Sequence, residues 1–168
     1  MSSRGLEGVV IAESRLSKIY GEQGRLIYSG YEIEDLAENT SFEEVCHLLW
    51  YGELPNRSQL DELSGQLARH RAVHPDLIQL LRMLPADTHP MAALRTAASA
   101  LASYDEESED NSDDANLRKA IRITAKLATL TTAFDRLRNG KEPVEPREDL
   151  SHAANFLYML HGEEPGEL

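Results

Sequence analysis

The stretch from about Asp114 to Asn139 constrains this chain most. Ile123, Leu127, Leu130, Phe134 and Leu137 repeat at intervals of four and three, the spacing of a coiled-coil-like seam. Leu117, Ala120, Ile121 and Ala128 widen the apolar surface beside that seam. The pattern predicts one helix of roughly 26 residues, about 39 Å long at 1.5 Å per residue. A helix apolar over so much of its circumference has to be covered by several neighbours, by another subunit, or by both. Gly140 ends it. The rest of the fold has to be built around this rod.

Shorter helical patterns surround it. Two lie at Ile33–Glu38 and Ser41–Tyr51, the second opened by the capping-box spacing of Ser41 and Glu44. Its apolar stripe reads Phe42, Val45, Cys46 and Leu49, with Gly52 at the left-handed stop position and Pro55 beyond. Asn56 and Gln59 repeat the capping spacing and start a helix to about Arg71, with Leu60, Leu63 and Leu67 inward. Pro75 fits the first turn of another helix, with Leu77, Leu80, Leu81 and Leu84 inward and Pro85 as terminator. His89-Pro90-Met91 opens a helix to about Tyr104, with Met91, Leu94, Ala98 and Leu101 on one face. Six alanines between Ala92 and Ala102 keep that helix slim, so that a partner helix can approach closely. Pro143 and Pro146 force an extended connection. A last helix follows from about Asp149, with Leu150, Ala153, Leu157 and Leu160 inward.

Residues 8–28 favour β structure. Val9, Val10 and Ile11 form one run, and Gly21-Glu22-Gln23-Gly24 separates Ile19-Tyr20 from Leu26-Ile27-Tyr28 as a hairpin loop would. G-x-x-G without a following Lys-Ser/Thr is no phosphate loop. The expected class is mainly α with a small N-terminal β-hairpin, in a single domain with a hairpin segment over 1–30 and a helical bundle over 31–168.

The formal net charge of −12 argues against nucleic acid or an anionic membrane as partner. Thirteen of the 17 basic residues are Arg and only Lys18, Lys119, Lys126 and Lys141 are Lys. An acidic, Lys-poor surface suggests a salt-rich cytoplasm, where ions screen carboxylate repulsion. The lone Cys46 excludes an internal disulfide and reads as a small core hydrophobe. MSSRGLEG has no hydrophobic signal region, which points to a cytoplasmic protein.

Candidate chemistry is sparse. His70 and His74 are four apart but straddle two helices with no third ligand, so no metal site is expected. Arg95 has the chemistry to hold a phosphate or carboxylate, and a solvent or intersubunit ion pair is the expected role. Asp105 to Asp114 holds seven acids in ten residues; it lacks the EF-hand spacing and reads as a solvated loop. His152 and Asn155 fall on a helix flank as local hydrogen-bonding groups.

Several motifs in one order carry a resemblance. They are Gly5-Leu6-Glu7-Gly8-Val9-Val10; G-Y-x-I-E-D-L-A from Gly30; S-F-E-E-V from Ser41; L-L-x-x-G-E-L-P from Leu48; His89-Pro90-Met91 with Leu94-Arg95-Thr96-Ala97; and Pro146-Arg147 with Asp149-Leu150-Ser151-His152-Ala153-Ala154-Asn155-Phe156-Leu157. Together they resemble the N-terminal part of citrate synthase, in the manner of halophilic archaeal and Thermus- or Deinococcus-like members. The resemblance implies a helical large domain, a homodimer and condensation of acetyl-CoA, as substrate, with oxaloacetate; no cofactor is implied. It also implies that the family's two histidines and aspartate lie in H-x-D-H-x-x-N, L-H-G-G-A-N and G-H-R-V-Y segments that this sequence lacks. Leu160-His161-Gly162 superficially matches the second, but Glu163-Glu164-Pro165 replaces its ending. No catalytic or substrate-binding residue is therefore assigned, and the chain alone is expected to be inactive. The family's dimer helices resemble Met91–Tyr104 and Asp114–Asn139. Alternatives are a dimerisation subunit of a split enzyme and a 2-methylcitrate synthase fragment. Two departures stand out: Ser29-Gly30-Tyr31 in place of R-G-Y, and Lys126-Leu127-Ala128-Thr129 in place of K-x-P-T, whose lost proline removes a kink.

Overall fold

The structure is a computed structural model and describes residues 9–10 and 13–166. The chain divides into two compact units, residues 1–55 and 56–168.

In the first unit, β1 (Ser17–Tyr20), β2 (Arg25–Tyr28) and β3 (Tyr31–Glu32) form an antiparallel sheet in sequence order. The expected hairpin is β1–β2, with Tyr20 opposite Arg25; Gly24 closes its loop at φ 64°. The third strand was not expected. It pairs because Ser29 (φ 46°) and Gly30 (φ 95°) both lie at positive φ, giving the mirror-image two-residue turn that matches strand twist. Among the described residues Ser29 is the only non-glycine with positive φ. The strand expected over Val9–Ile11 is corrected in part: Val9 and Val10 take no regular structure and Val10 is 82% exposed. No partner strand is available to satisfy an extended backbone there among the described residues. Ile11 and the Gly5–Gly8 part of the first motif lie outside the described residues.

Two helices complete this unit, α1 (Ile33–Asn39) and α2 (Phe42–Tyr51). The capping box is complete: Glu44 N–H donates to Ser41 Oγ (3.3 Å) and Ser41 N–H to Glu44 Oε2 (2.6 Å). Gly52 stops the helix at φ 85°. The buried face is Glu43, Cys46, His47 and Leu48; Cys46 is buried as expected, whereas Phe42 is exposed and Val45 and Leu49 are half-buried. Apolar residues occur on more than one side of α2, so periodicity alone selects the wrong arc. His47 tolerates burial because its Nδ1 meets the Glu53 carbonyl at 2.8 Å and its ring stacks on Tyr51. Burial, then Glu43, pushes the Cys46 thiol up to about 11, which keeps it an unreactive thiol.

The second unit contains α3 (Arg57–Arg69), α4 (Pro75–Met83), α5 (Pro90–Ala100, continued by a 3₁₀ turn Leu101–Tyr104), α6 (Asp113–Arg138) and α7 (His152–His161). The helix α6 is the rod the sequence demands. It runs unbroken for 26 residues and packs against α3, α4, α5 and α7. It stops in a Schellman motif, with Gly140 at φ 71°, Gly140 N–H on the Leu137 carbonyl (3.0 Å) and Lys141 N–H on that of Arg136 (2.8 Å). The core joins Leu77 and Leu81 of α4, Ala93, Ala97 and Leu101, and Leu130, Ala133 and Phe134 of α6.

Three inward faces are corrected. On α5 the buried residues are Ala93 and Ala97, followed by Leu101, while Met91 is exposed. Two alanines without any exposed surface let the backbones approach, so the slim face is the packed one. On α6 the seam holds at Leu130 and Phe134 but fails at Ile123, which is 42% exposed. On α7, which starts at His152 rather than near Asp149, His152, Asn155 and Met159 are buried while Ala153 is exposed. A polar knot explains the last case. Thr129 Oγ1 donates to the Arg71 carbonyl (2.7 Å), the buried Arg71 guanidinium donates to the Arg147 carbonyl, and Arg147 N–H donates to Asn155 Oδ1 (2.8 Å). These bonds satisfy groups that would otherwise be costly to bury.

Candidate functional site

Two histidines act as helix N-caps. His74 and His89 each precede a first-turn proline and accept the N–H two residues on (Asp76 and Met91, both 3.2 Å) through Nδ1. His-Pro is therefore a helix-start signal here, used twice. The His74 ring also stacks on Tyr104 at 4.2 Å, and Tyr104 donates to Asp76 Oδ2 (3.1 Å). His70 caps the end of α3, and burial, then Lys126, holds its pKa down. His70 and His74 thus serve different helix ends. Among the described residues no group of three or more His, Cys, Asp or Glu is arranged to hold a metal.

The acidic segment is not simply a solvated loop. Asp113 and Asp114 belong to the first turn of α6, behind the Ser112 cap, where the helix dipole favours negative charge. Asp105 accepts two bonds from Arg122 (both 2.8 Å), and Glu107 pairs with Arg122 (2.8 Å) and with Arg118. Lys119 donates to the Asp110 carbonyl. The Arg122 hydrogen bonds hold the Asp105 carboxyl below its ordinary range. Arg118 and Arg122, one turn apart, are the sequence signal that could have revealed this strap.

Between the strap, the start of α4, the 3₁₀ turn and α6 lies a cleft of about 590 Å³. Leu77, Leu101 and Ile123 supply apolar walls; Arg122 and Lys126 line it from α6. It contains mixed charge and no nucleophile–base–acid set. The remaining sequence candidates lie elsewhere: Arg95 is exposed on α5, His152 and Asn155 are buried at the start of α7, and His161 is exposed at its end, before the Gly162 stop. The Leu160 carbonyl just before it accepts from Arg136 (3.1 Å). The structure brings none of these together with the cleft.

Residues 5–168 match the family model described as citrate synthase, C-terminal domain. This chain belongs to the citrate synthase family. It is 53% identical to the citrate synthase of Haloferax volcanii, over 98% of this chain and 45% of that protein. The citrate/2-methylcitrate synthase of Bacillus subtilis is 40% identical, over 99% of this chain and 45% of that protein. The fold matches the crystal structure of citrate synthase from Pyrobaculum aerophilum with a TM-score of 0.88 and 38% identity, covering 96% of this chain and 42% of that one. The chain thus spans less than half the length of the curated relatives it matches. The resemblance stated from the motifs and the mainly α class with its small sheet both hold for this citrate synthase family member. No described helix is long and apolar enough to cross a membrane.

Proposed function

We propose that this chain is the N-terminal scaffold and dimerisation part of a citrate synthase, a single partial domain whose whole enzyme condenses acetyl-CoA with oxaloacetate. Enolising the acetyl methyl group needs a positioned base and a donor to the developing oxyanion. The H-x-D-H-x-x-N, L-H-G-G-A-N and G-H-R-V-Y segments that the resemblance assigns to this work do not occur in these 168 residues. On this reading neither His152 nor His161 is catalytic, and the chain alone turns over nothing. Its N-terminal placement rests on motif order, against a family model whose description names a C-terminal domain.

One observation carries the dimer: α5 and α6, already packed together, each keep an outward stripe at four-residue spacing. These are Met91, Arg95 and Ser99 on α5, and Ile123, Leu127 and Thr131 on α6, with Leu127 half-buried and the others exposed. A second copy of the chain covers them. The acidic, Lys-poor composition and the kinship with the Haloferax protein support a salt-rich cytoplasm as its setting. Sedimentation velocity in molar KCl tests the dimer. The wild-type chain is expected to sediment as a dimer, and Met91→Glu with Thr131→Lys as a monomer of unchanged helix content. A monomeric wild type at micromolar concentration refutes the proposal.

A further inference from the structure

Lys126 lies one turn beyond Arg122 on α6 and lines the charged cleft. Arg122 is fully engaged by Asp105 and Glu107. Lys126 makes no hydrogen bond or ion pair with any described residue. It is half-buried, with the Arg122 guanidinium as a like-charged neighbour and Asp105 as a weaker opposing one. Burial first, and Arg122 second, lower its pKa, so the neutral amine is favoured there more than on open surface. The other lysines are placed differently. Lys18 sits over the Tyr20 ring at 4.8 Å, Lys119 donates to the Asp110 carbonyl, and Lys141 is exposed beyond the end of α6.

We propose that Lys126 is an acylation site, its cleft-lining amine accepting the acyl group of small activated donors such as acyl phosphates and acyl thioesters. The neutral amine attacks the acyl carbonyl carbon and a C–N bond forms. The C–O bond to phosphate, or the C–S bond to the thiol, breaks, and phosphate or thiolate leaves with the electron pair. The nitrogen's proton passes to water, and no oxidant or reductant enters. Leu77 and Leu101 offer apolar wall to a short acyl chain in a cleft of about 590 Å³. The amide product carries no charge for Arg122 to repel, so the modified state relieves the unfavourable term that burial imposes on the ammonium.

The test uses acetyl phosphate as the probe on the folded full chain at pH 8. Acetylation rates at Lys18, Lys119, Lys126 and Lys141 are followed by peptide mass spectrometry, and the reaction is repeated in urea. The expected result is that Lys126 is acetylated fastest in the folded chain and that its lead is lost in urea. Faster reaction at Lys18 or Lys141 in the folded chain overturns the proposal, as does a lead that persists unchanged in urea.

Discussion

Replacing Ala97 by Leu tests the α5–α6 packing most sharply. Ala and Leu have nearly the same helix propensity, so any loss of stability reports on space rather than on helix formation. Ala97 has no exposed surface and sits in the core with Leu130, Ala133 and Phe134 of α6. Three added carbons must displace that helix or force strained rotamers, at a cost of about 1–3 kcal/mol. For a chain of 168 residues each kcal/mol shifts Tm by about 2–4 °C, so the middle of that range lowers Tm by about 4–8 °C. Ala98→Leu is the matched control. Ala98 lies on the arc that apolar spacing pointed inward, yet it is only half-buried, and its substitution should change stability by about 0.5 kcal/mol or less. Urea unfolding in molar KCl, with Tm as a second readout, measures both at unchanged m. If Ala98→Leu destabilises more than Ala97→Leu, the packed face of α5 is misassigned.

Other features give independent expectations. Asn155→Leu leaves the Arg147 N–H without its acceptor, and urea unfolding should show a loss of about 1–3 kcal/mol. Gly140→Ala forces a side chain into the left-handed stop of α6 and should lower the unfolding free energy by about 1–2 kcal/mol, measured the same way. The Asp105 carboxyl has a folded pKa below its unfolded one, so its stabilisation is present above about pH 4 and is lost as pH falls through the lower folded value. Tm of the wild type should therefore fall more steeply below pH 4 than that of Asp105→Asn; equal slopes contradict the pairing with Arg122.

The helices were legible where local rules act alone. Ser41 with Glu44 and Asn56 with Gln59 both close as capping boxes, because cap geometry depends on four consecutive residues. Gly52 and Gly140 mark helix stops for the same reason. Which face turns inward depended on partners distant in sequence. Asn155 is buried because Arg147 and the α6 side of the knot lie against it, and no spacing of apolar residues conveys that. On α5 the alanines were read as slimness, but their inward direction follows from contact with Phe134 and Leu130. The acidic strap was hidden by composition, since Asp105 and Glu107 find Arg122 at 17 and 15 positions' distance across a turn. The third strand needed the positive φ of Ser29, an uncommon state for a residue with a side chain. For the site, the placing of His70 and His74 at the ends of two different helices was legible, whereas the cap role of each His-Pro pair was not.

The central claim is that these residues build a scaffold whose chemistry lies in other segments. Thiol release from acetyl-CoA in the presence of oxaloacetate, in molar KCl, tests it with this chain alone and after mixing with a polypeptide carrying the part of the Haloferax volcanii citrate synthase that this chain does not match. No release is expected from the chain alone, with recovery on mixing. Oxaloacetate-dependent turnover by the chain alone, abolished by His152→Ala or His161→Ala, would contradict it.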